Sequence, residues 1–135
     1  MRVAIVSVPA ERKPPCDYVS ALAKGVESMG HRVEIINAYT DDGRRLPAFD
    51  YIIVAAEQTS LFGGRLPDML GQVLRGPSSL SGKKSAAFLK KTYPFTGRAL
   101  ANLMRVMERE GMFVNWSEVL LSVPHAEELG KRILS

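Results

Sequence analysis

The chain is poor in the residues that carry metal and disulfide chemistry. It holds one cysteine, two histidines and one tryptophan in 135 residues. A single thiol excludes an internal disulfide, and so small a set of cysteine and histidine argues against a zinc site. No stretch approaches the roughly 20 consecutive apolar residues of a membrane helix, so no membrane partner is expected. The N-terminus enters a strand-like apolar run at once, which reads as a cytoplasmic protein without a signal peptide. Low-complexity linkers and internal repeats are missing, and the length fits one domain over residues 1–135. The net charge of +4 is mild. Its basic residues are scattered, with no basic helix and no row of aromatics for stacking bases, so no nucleic-acid partner is expected.

What the chain does have is alternation. Residues 3–8 (VAIVSV) form a short apolar, β-branched run of the kind buried on both faces of a sheet. Residues 33–36 form a second. Between them Val19, Leu22, Val26 and Met29 recur at helical spacing, Asp17 stands where a cap would, and Gly30 stands where a helix turns left-handed. Strand, helix, strand over so short a span is a βαβ unit with parallel strands.

The pattern continues. Residues 38–49 are a polar loop with room for one helical turn. Residues 50–56 (DYIIVAA) predict a third strand, and 66–74 a helix with Pro67 in its first turn. A turn-rich connection at 76–82 leads to a fourth strand at 85–89 (SAAFL). A long helix opens at Thr96 or Gly97, shows Leu100, Leu103, Met104 and Met107 on one face, and stops at Gly111. A fifth strand is expected within 112–122, most clearly at 119–122, and Pro124 begins a last helix with Leu129 and Ile133 facing inward. This predicts a three-layer, doubly wound α/β fold: five parallel strands in the order 2-1-3-4-5. Ile5, Val6, Ile35, Ile53, Val54, Phe88 and Leu121 are its expected core. The switch point lies between the first and third strands, so a ligand site is expected on the loops 9–16, 57–64 and 90–97.

On four strings the sequence resembles the flavodoxin-like family, in the branch of short flavoproteins that includes flavodoxins and quinone reductases. ALAKGVESMGHRVEIINA is similar to the family's first helix and second strand, and FDYIIVAA to its third strand. TSLFGGRLPDMLGQVL resembles its flavin loop and the next helix, and GKKSAAFLKKTYPFTGRALANLMRVMEREGMFV its fourth strand, second flavin loop and following helix. The resemblance covers nearly the whole chain. It implies flavin mononucleotide (FMN) as cofactor and a redox function, as an electron-transfer protein or an NAD(P)H:acceptor reductase. It also implies a redox partner protein or a second copy of the chain.

The first loop departs from the family pattern, which places a Ser/Thr-x-Thr-Gly-x-Thr run around the phosphate. Here the segment reads Ala10-Glu11-Arg12-Lys13-Pro14-Pro15, with no glycine or hydroxyl and with two N–H donors deleted by proline. Arg12, Lys13 and the helix dipole are what remain for an anion, so weakened phosphate binding is expected. Lys90, Lys91, Arg65 and Arg98 join them in a positive rim around the mouth. The expected cofactor contacts are Arg12, Lys13, Thr59, Phe62, Gly63, Gly64, Lys91, Thr92 and Tyr93, with no catalytic side chain and no metal ligand. Tyr93 stands where the family often places an aromatic against the flavin, whereas Trp116 reads as core. The alternative is a flavodoxin-fold domain that has lost the flavin and binds another anionic ligand or a protein. Its basic character favours this, since electron-shuttle flavodoxins are typically acidic.

Other chemistries on this type of fold are disfavoured. A cysteine phosphatase loop needs an arginine six residues beyond Cys16, where Leu22 stands. A phosphoacceptor receiver needs an aspartate closing the third strand, which here ends Ala55-Ala56-Glu57. His31 reads as a surface residue and His125 as part of the last helix's first turn, and neither has a serine or carboxylate at triad spacing.

Overall fold

The computed structural model describes residues 1–76 and 79–134. Pro77 and Ser78, within the expected 76–82 connection, and Ser135 lie outside the described residues. Five strands, β1 (Arg2–Val8), β2 (Arg32–Asn37), β3 (Tyr51–Ala56), β4 (Lys84–Lys90) and β5 (Phe113–Leu120), alternate with four α-helices. The helices are α1 (Asp17–Ser28), α2 (Asp68–Leu74), α3 (Gly97–Arg109) and α4 (Val123–Arg132). One 3-10 turn, Leu46–Ala48, interrupts the polar loop before β3. All strand pairs are parallel, in the order β2-β1-β3-β4-β5. Fold class and strand order are therefore as the alternation predicts.

The β-strand period of two divides the core. Ala4, Val6, Ile52, Val54, Ala87 and Leu89 face one side and pack under α2 and α3, with Leu70, Val73, Leu103 and Met107. Val3, Ile5, Tyr51, Ile53, Ala86 and Phe88 face the other and pack under α1 and α4, with Val19, Leu22, Val26, Ala126 and Leu129. β1, β3 and β4 are central, so both their faces are covered and their sequence reads as unbroken apolar runs.

The departures from expectation lie at helix starts and sheet edges. Asp17 is the first helical residue rather than the cap; Cys16 takes the cap position, with no side-chain capping bond. Pro67 likewise precedes α2 and does not lie within it. Ile35 is 38% exposed, because β2 is an edge strand: its neighbour Ile36 turns into the core while Ile35 lies beyond the cover of α1. Leu121 is 59% exposed, because β5 runs from Phe113 to Leu120 and Leu121 follows it. The strand starts well before 119. Its register against β4 skips Asn115, a β-bulge that breaks the alternation, and its residues are mostly half-buried. An edge strand with a bulge has no apolar run to announce it.

α1 and α4 make the most intimate helix contact in the fold, at Gly25 and Gly130. A Cβ on Gly130 would stand 2.5 Å from the Leu22 carbonyl oxygen, and one on Gly25 would run into the Glu127 carbonyl oxygen. Side chains at this crossing would hold the helices apart, so glycine sets their separation.

Candidate functional site

The carboxyl ends of β1, β3 and β4 bring three loops together: 9–16, 57–67 and 91–96. Glu57 and Gln58 leave β3 directly and are both buried. They organise the site from beneath.

Glu57 reaches toward the first loop. Its backbone N–H donates to the Val8 carbonyl at 3.0 Å. Its Oε1 accepts from the Ala10 N–H at 3.2 Å and lies 3.0 Å from the Lys13 ammonium. Its Oε2 stands 4.0 Å from Lys90 Nζ. A buried carboxylate needs compensation of this kind, since an unpaired one would be neutralised by protonation. The hydrogen bond to Glu57 raises the Lys13 pKa above its ordinary value, so the ammonium stays charged at neutral pH. The loop is tied elsewhere too. Arg12 donates to the Tyr39 carbonyl at 3.0 Å, and the Asn37 amide donates to the Lys13 carbonyl at 2.9 Å. The Tyr39 hydroxyl donates to the Pro9 carbonyl at 2.8 Å. Burial raises the pKa of this phenol, which keeps it a donor.

Gln58 reaches toward the other two loops. Its amide nitrogen donates to Ser60 O at 2.8 Å and to Phe95 O at 3.0 Å, which fixes the 57–67 and 91–96 loops relative to each other. Its Oε1 is buried and has no donor among the described residues. The outer loop closes on itself: Thr59 N–H donates to Arg65 O at 2.9 Å, and Ser60 Oγ to Phe62 O at 2.6 Å. Gly63 and Gly64 both have positive φ, at 84° and 66°, a backbone that favours glycine. Gly64 also sits against the start of α3, where a Cβ would come within 2.8 Å of the Ala99 nitrogen, and Asn102 Nδ2 donates to its carbonyl at 3.0 Å.

This arrangement presents Phe62 and Phe95 to solvent, 69% and 60% exposed, with their rings stacked at 5.5 Å and 26°. They stand in a cleft of about 650 Å³ with Gly63, Gly64, Gly97 and Arg98 on its walls. A second cleft of about 600 Å³ lies beside it, lined by Ala10, Tyr39, Thr59, Arg65 and Asp68. Both volumes suit a small organic ligand.

The expected site residues therefore separate. Phe62, Gly63 and Gly64 share the aromatic cleft and Thr59 lines its neighbour. Lys13 is turned onto Glu57, and Arg12 lines a third cleft on the β2 side with Tyr39, Asp41 and Gln72. Lys91 and Thr92 are exposed and Tyr93 is half-buried; none of the three lines a described cleft. The aromatic partner of Phe62 is Phe95. The positive rim is broken up likewise: Lys13 and Lys90 converge on one carboxylate, and Lys90 also lies 5.3 Å over the Tyr18 ring. Glu57, Gln58 and Phe95 were not singled out by sequence reasoning. Their signal was position: two polar residues directly after a buried strand, and an aromatic beside a glycine helix start.

Trp116 is half-buried against the core, with its Nε1–H on Glu118 Oε1 at 3.1 Å. Glu118 also meets His125 Nε2 at 3.1 Å, while His125 Nδ1 accepts from the Leu121 N–H at 3.1 Å. This carboxylate–histidine pair holds the β5–α4 turn. Among the described residues no group of three or more His, Cys, Asp or Glu side chains could hold a metal ion, and no helix is long and apolar enough to cross a membrane.

No protein-family model matches the sequence, and comparison with curated proteins finds no match. Solved structures do match. Oxidised flavodoxin 1 from Bacillus cereus superposes with a TM-score of 0.73 at 20% identity, over 96% of this chain and 95% of that one. The flavodoxin of Streptococcus pneumoniae TIGR4 gives 0.73 at 19% identity, over 99% and 98%. A flavone reductase gives 0.70 at 14% identity, over 98% of this chain and 62% of its own. These likenesses establish a flavodoxin-like fold across nearly the whole chain. At such identities they speak to the fold alone.

Proposed function

We propose that the protein is a flavodoxin-like redox protein that holds a flavin ring at the Phe62–Phe95 cleft and grips phosphate weakly. One observation carries the reading: two exposed aromatic rings stacked beyond the carboxyl ends of β3 and β4, next to the sheet's switch point, with Gly63, Gly64 and Gly97 leaving room beside them. A soluble protein has little reason to expose such a pair unless something flat covers it. To admit a flat ring between them, the phenyl planes would part to about 7 Å, two contact distances of about 3.5 Å. That gives up an aromatic pair worth about 0.5–1.5 kcal/mol and regains two new stacking contacts.

Fit is good at the ring end and poor at the phosphate end. FMN when bound would supply the electron or hydride chemistry, and this chain's residues would supply position and electrostatics. Phe62 and Phe95 would sandwich the ring and exclude water from its faces, while Gln58 would fix the spacing of the loops that carry them. In the first loop, Pro14 and Pro15 offer no N–H, and the Ala10 N–H and Lys13 ammonium already serve Glu57. The flavodoxin and flavone reductase structures that share the fold support a redox role for this chain.

The assay is quenching of flavin fluorescence on titration with apo protein. Quenching by the wild type that weakens about tenfold or more in Phe62→Ala/Phe95→Ala supports the reading, since two stacking contacts correspond to about 1–3 kcal/mol. The closed first loop favours a second reading: a fold that has lost its flavin and uses the apolar Leu61, Phe62 and Phe95 surface to bind a partner protein. Wild-type protein that leaves flavin fluorescence unchanged would support that second reading.

A further inference from the structure

We propose that Glu57 is a built-in anion that closes the first loop to phosphate, so the cleft selects an unphosphorylated planar heterocycle of the riboflavin type over its phosphate ester. The inference rests on the reading of the Phe62–Phe95 cleft as a flavin site. Its evidence is independent of that cleft.

An anion held in the β1–α1 loop needs donors, and three of those there, two of them charged, already have acceptors within the protein. The Ala10 N–H and the Lys13 ammonium both bind Glu57 Oε1, at 3.2 and 3.0 Å. The Arg12 guanidinium is on the Tyr39 carbonyl at 3.0 Å. Prolines 14 and 15 have no N–H to give. Glu57 is 6% exposed, and its backbone bond to Val8 holds the residue in place beneath the loop. A phosphate entering this loop would meet a fixed negative charge at close range and would have to take Lys13 from it. Taking Lys13 would leave this buried carboxylate with only the Ala10 N–H and the more distant Lys90, 4.0 Å away, which is costly. Repulsion between like charges adds to this cost. A ligand without phosphate meets neither obstacle. It can use the aromatic cleft while the Lys13–Glu57 pair stays intact as part of the site's floor.

The test is a matched pair of titrations, riboflavin and FMN, against wild-type apo protein at low ionic strength. Riboflavin binding at least as tightly as FMN is expected. FMN as the tighter ligand overturns the inference and leaves the flavin reading standing. In Glu57→Gln, which keeps an acceptor for the Ala10 N–H but removes the charge, the preference should shift toward FMN by about tenfold or more, the scale of one charge contact. An unshifted ratio overturns the role of Glu57. A second readout needs neither flavin nor variant: the Ala10 and Lys13 amide resonances of the wild type under added inorganic phosphate. Unmoved resonances support a loop closed to anions, and saturable shifts overturn it. If neither flavin binds, the flavin reading and the ligand preference fail together, and the phosphate titration still decides what Glu57 does.

Discussion

Replacing glycine by alanine in a helix removes backbone freedom from the unfolded chain and normally stabilises by roughly 0.8–1.0 kcal/mol. Gly25 and Gly71 are both helical, yet the structure assigns them opposite outcomes. At Gly71 in α2 a new Cβ meets only the guanidinium of Arg75, 3.3 Å away at the end of a flexible side chain. That tip can move, so Gly71→Ala should gain about 1 kcal/mol. At Gly25 in α1 the new Cβ collides with the Glu127 carbonyl and comes within 3.0 Å of Gly130 Cα, both backbone of α4. Neither can move without shifting the helix. Overpacking of this kind costs about 1–3 kcal/mol, and a backbone clash belongs at the upper end. Setting about 3 against the propensity gain of about 1 leaves a net loss near 2 kcal/mol. Unfolding entropy scales at about 2.1 cal/mol/K per residue, so for a chain of this length each kcal/mol moves Tm by roughly 3–4 °C. Thermal melts followed by circular dichroism should show Gly25→Ala down by about 7 °C and Gly71→Ala up by about 3 °C. A Gly25→Ala variant that melts at or above wild type would refute the close crossing of α1 and α4.

Three further outcomes follow from particular contacts. Burial pushes the Tyr51 phenol up to about 12, whereas an unfolded tyrosine titrates near 10. The folded state therefore holds the proton more tightly: its stability contribution is full below pH 10 and is lost as pH rises to 12, about 2.7 kcal/mol in all. Urea midpoints across that window should fall for wild type and much less for Tyr51→Phe; equal slopes would contradict the burial. Ser122 caps α4 by accepting the His125 N–H at 3.1 Å, so Ser122→Ala should cost about 1 kcal/mol in a denaturant titration. Val54 is fully buried in the central strand β3, and Val54→Asp would place an unpaired charge there; loss of a cooperative melt is expected, and a Tm near wild type would contradict the strand assignment.

The central strands were legible because a strand covered on both faces can tolerate little but apolar residues. β1, β3 and β4 therefore appeared in the sequence nearly at their true bounds, and with the helical spacing of α1 and α3 they determined the class and order of the fold. The glycine-rich 62–64 run and the proline-filled first loop were equally plain, since both are backbone constraints that a residue carries wherever it sits. Edges were harder: Ile35 and Leu121 look like core, and only the placement of β2 at the sheet margin and the end of β5 at Leu120 leave them exposed. The site was legible as a location and not as a set of partners. Lys13 and Glu57 are far apart in sequence, and nothing in either neighbourhood says that one will neutralise the other. Phe62 and Phe95 meet only because β3 and β4 are adjacent and Gln58 spans the loops beyond them. Local sequence fixes what a backbone segment can become, since propensity and apolar period act over a few residues. Which charge is spent inside the protein and which aromatic faces a ligand depends on contacts across the sheet, and these exist only once the chain has folded.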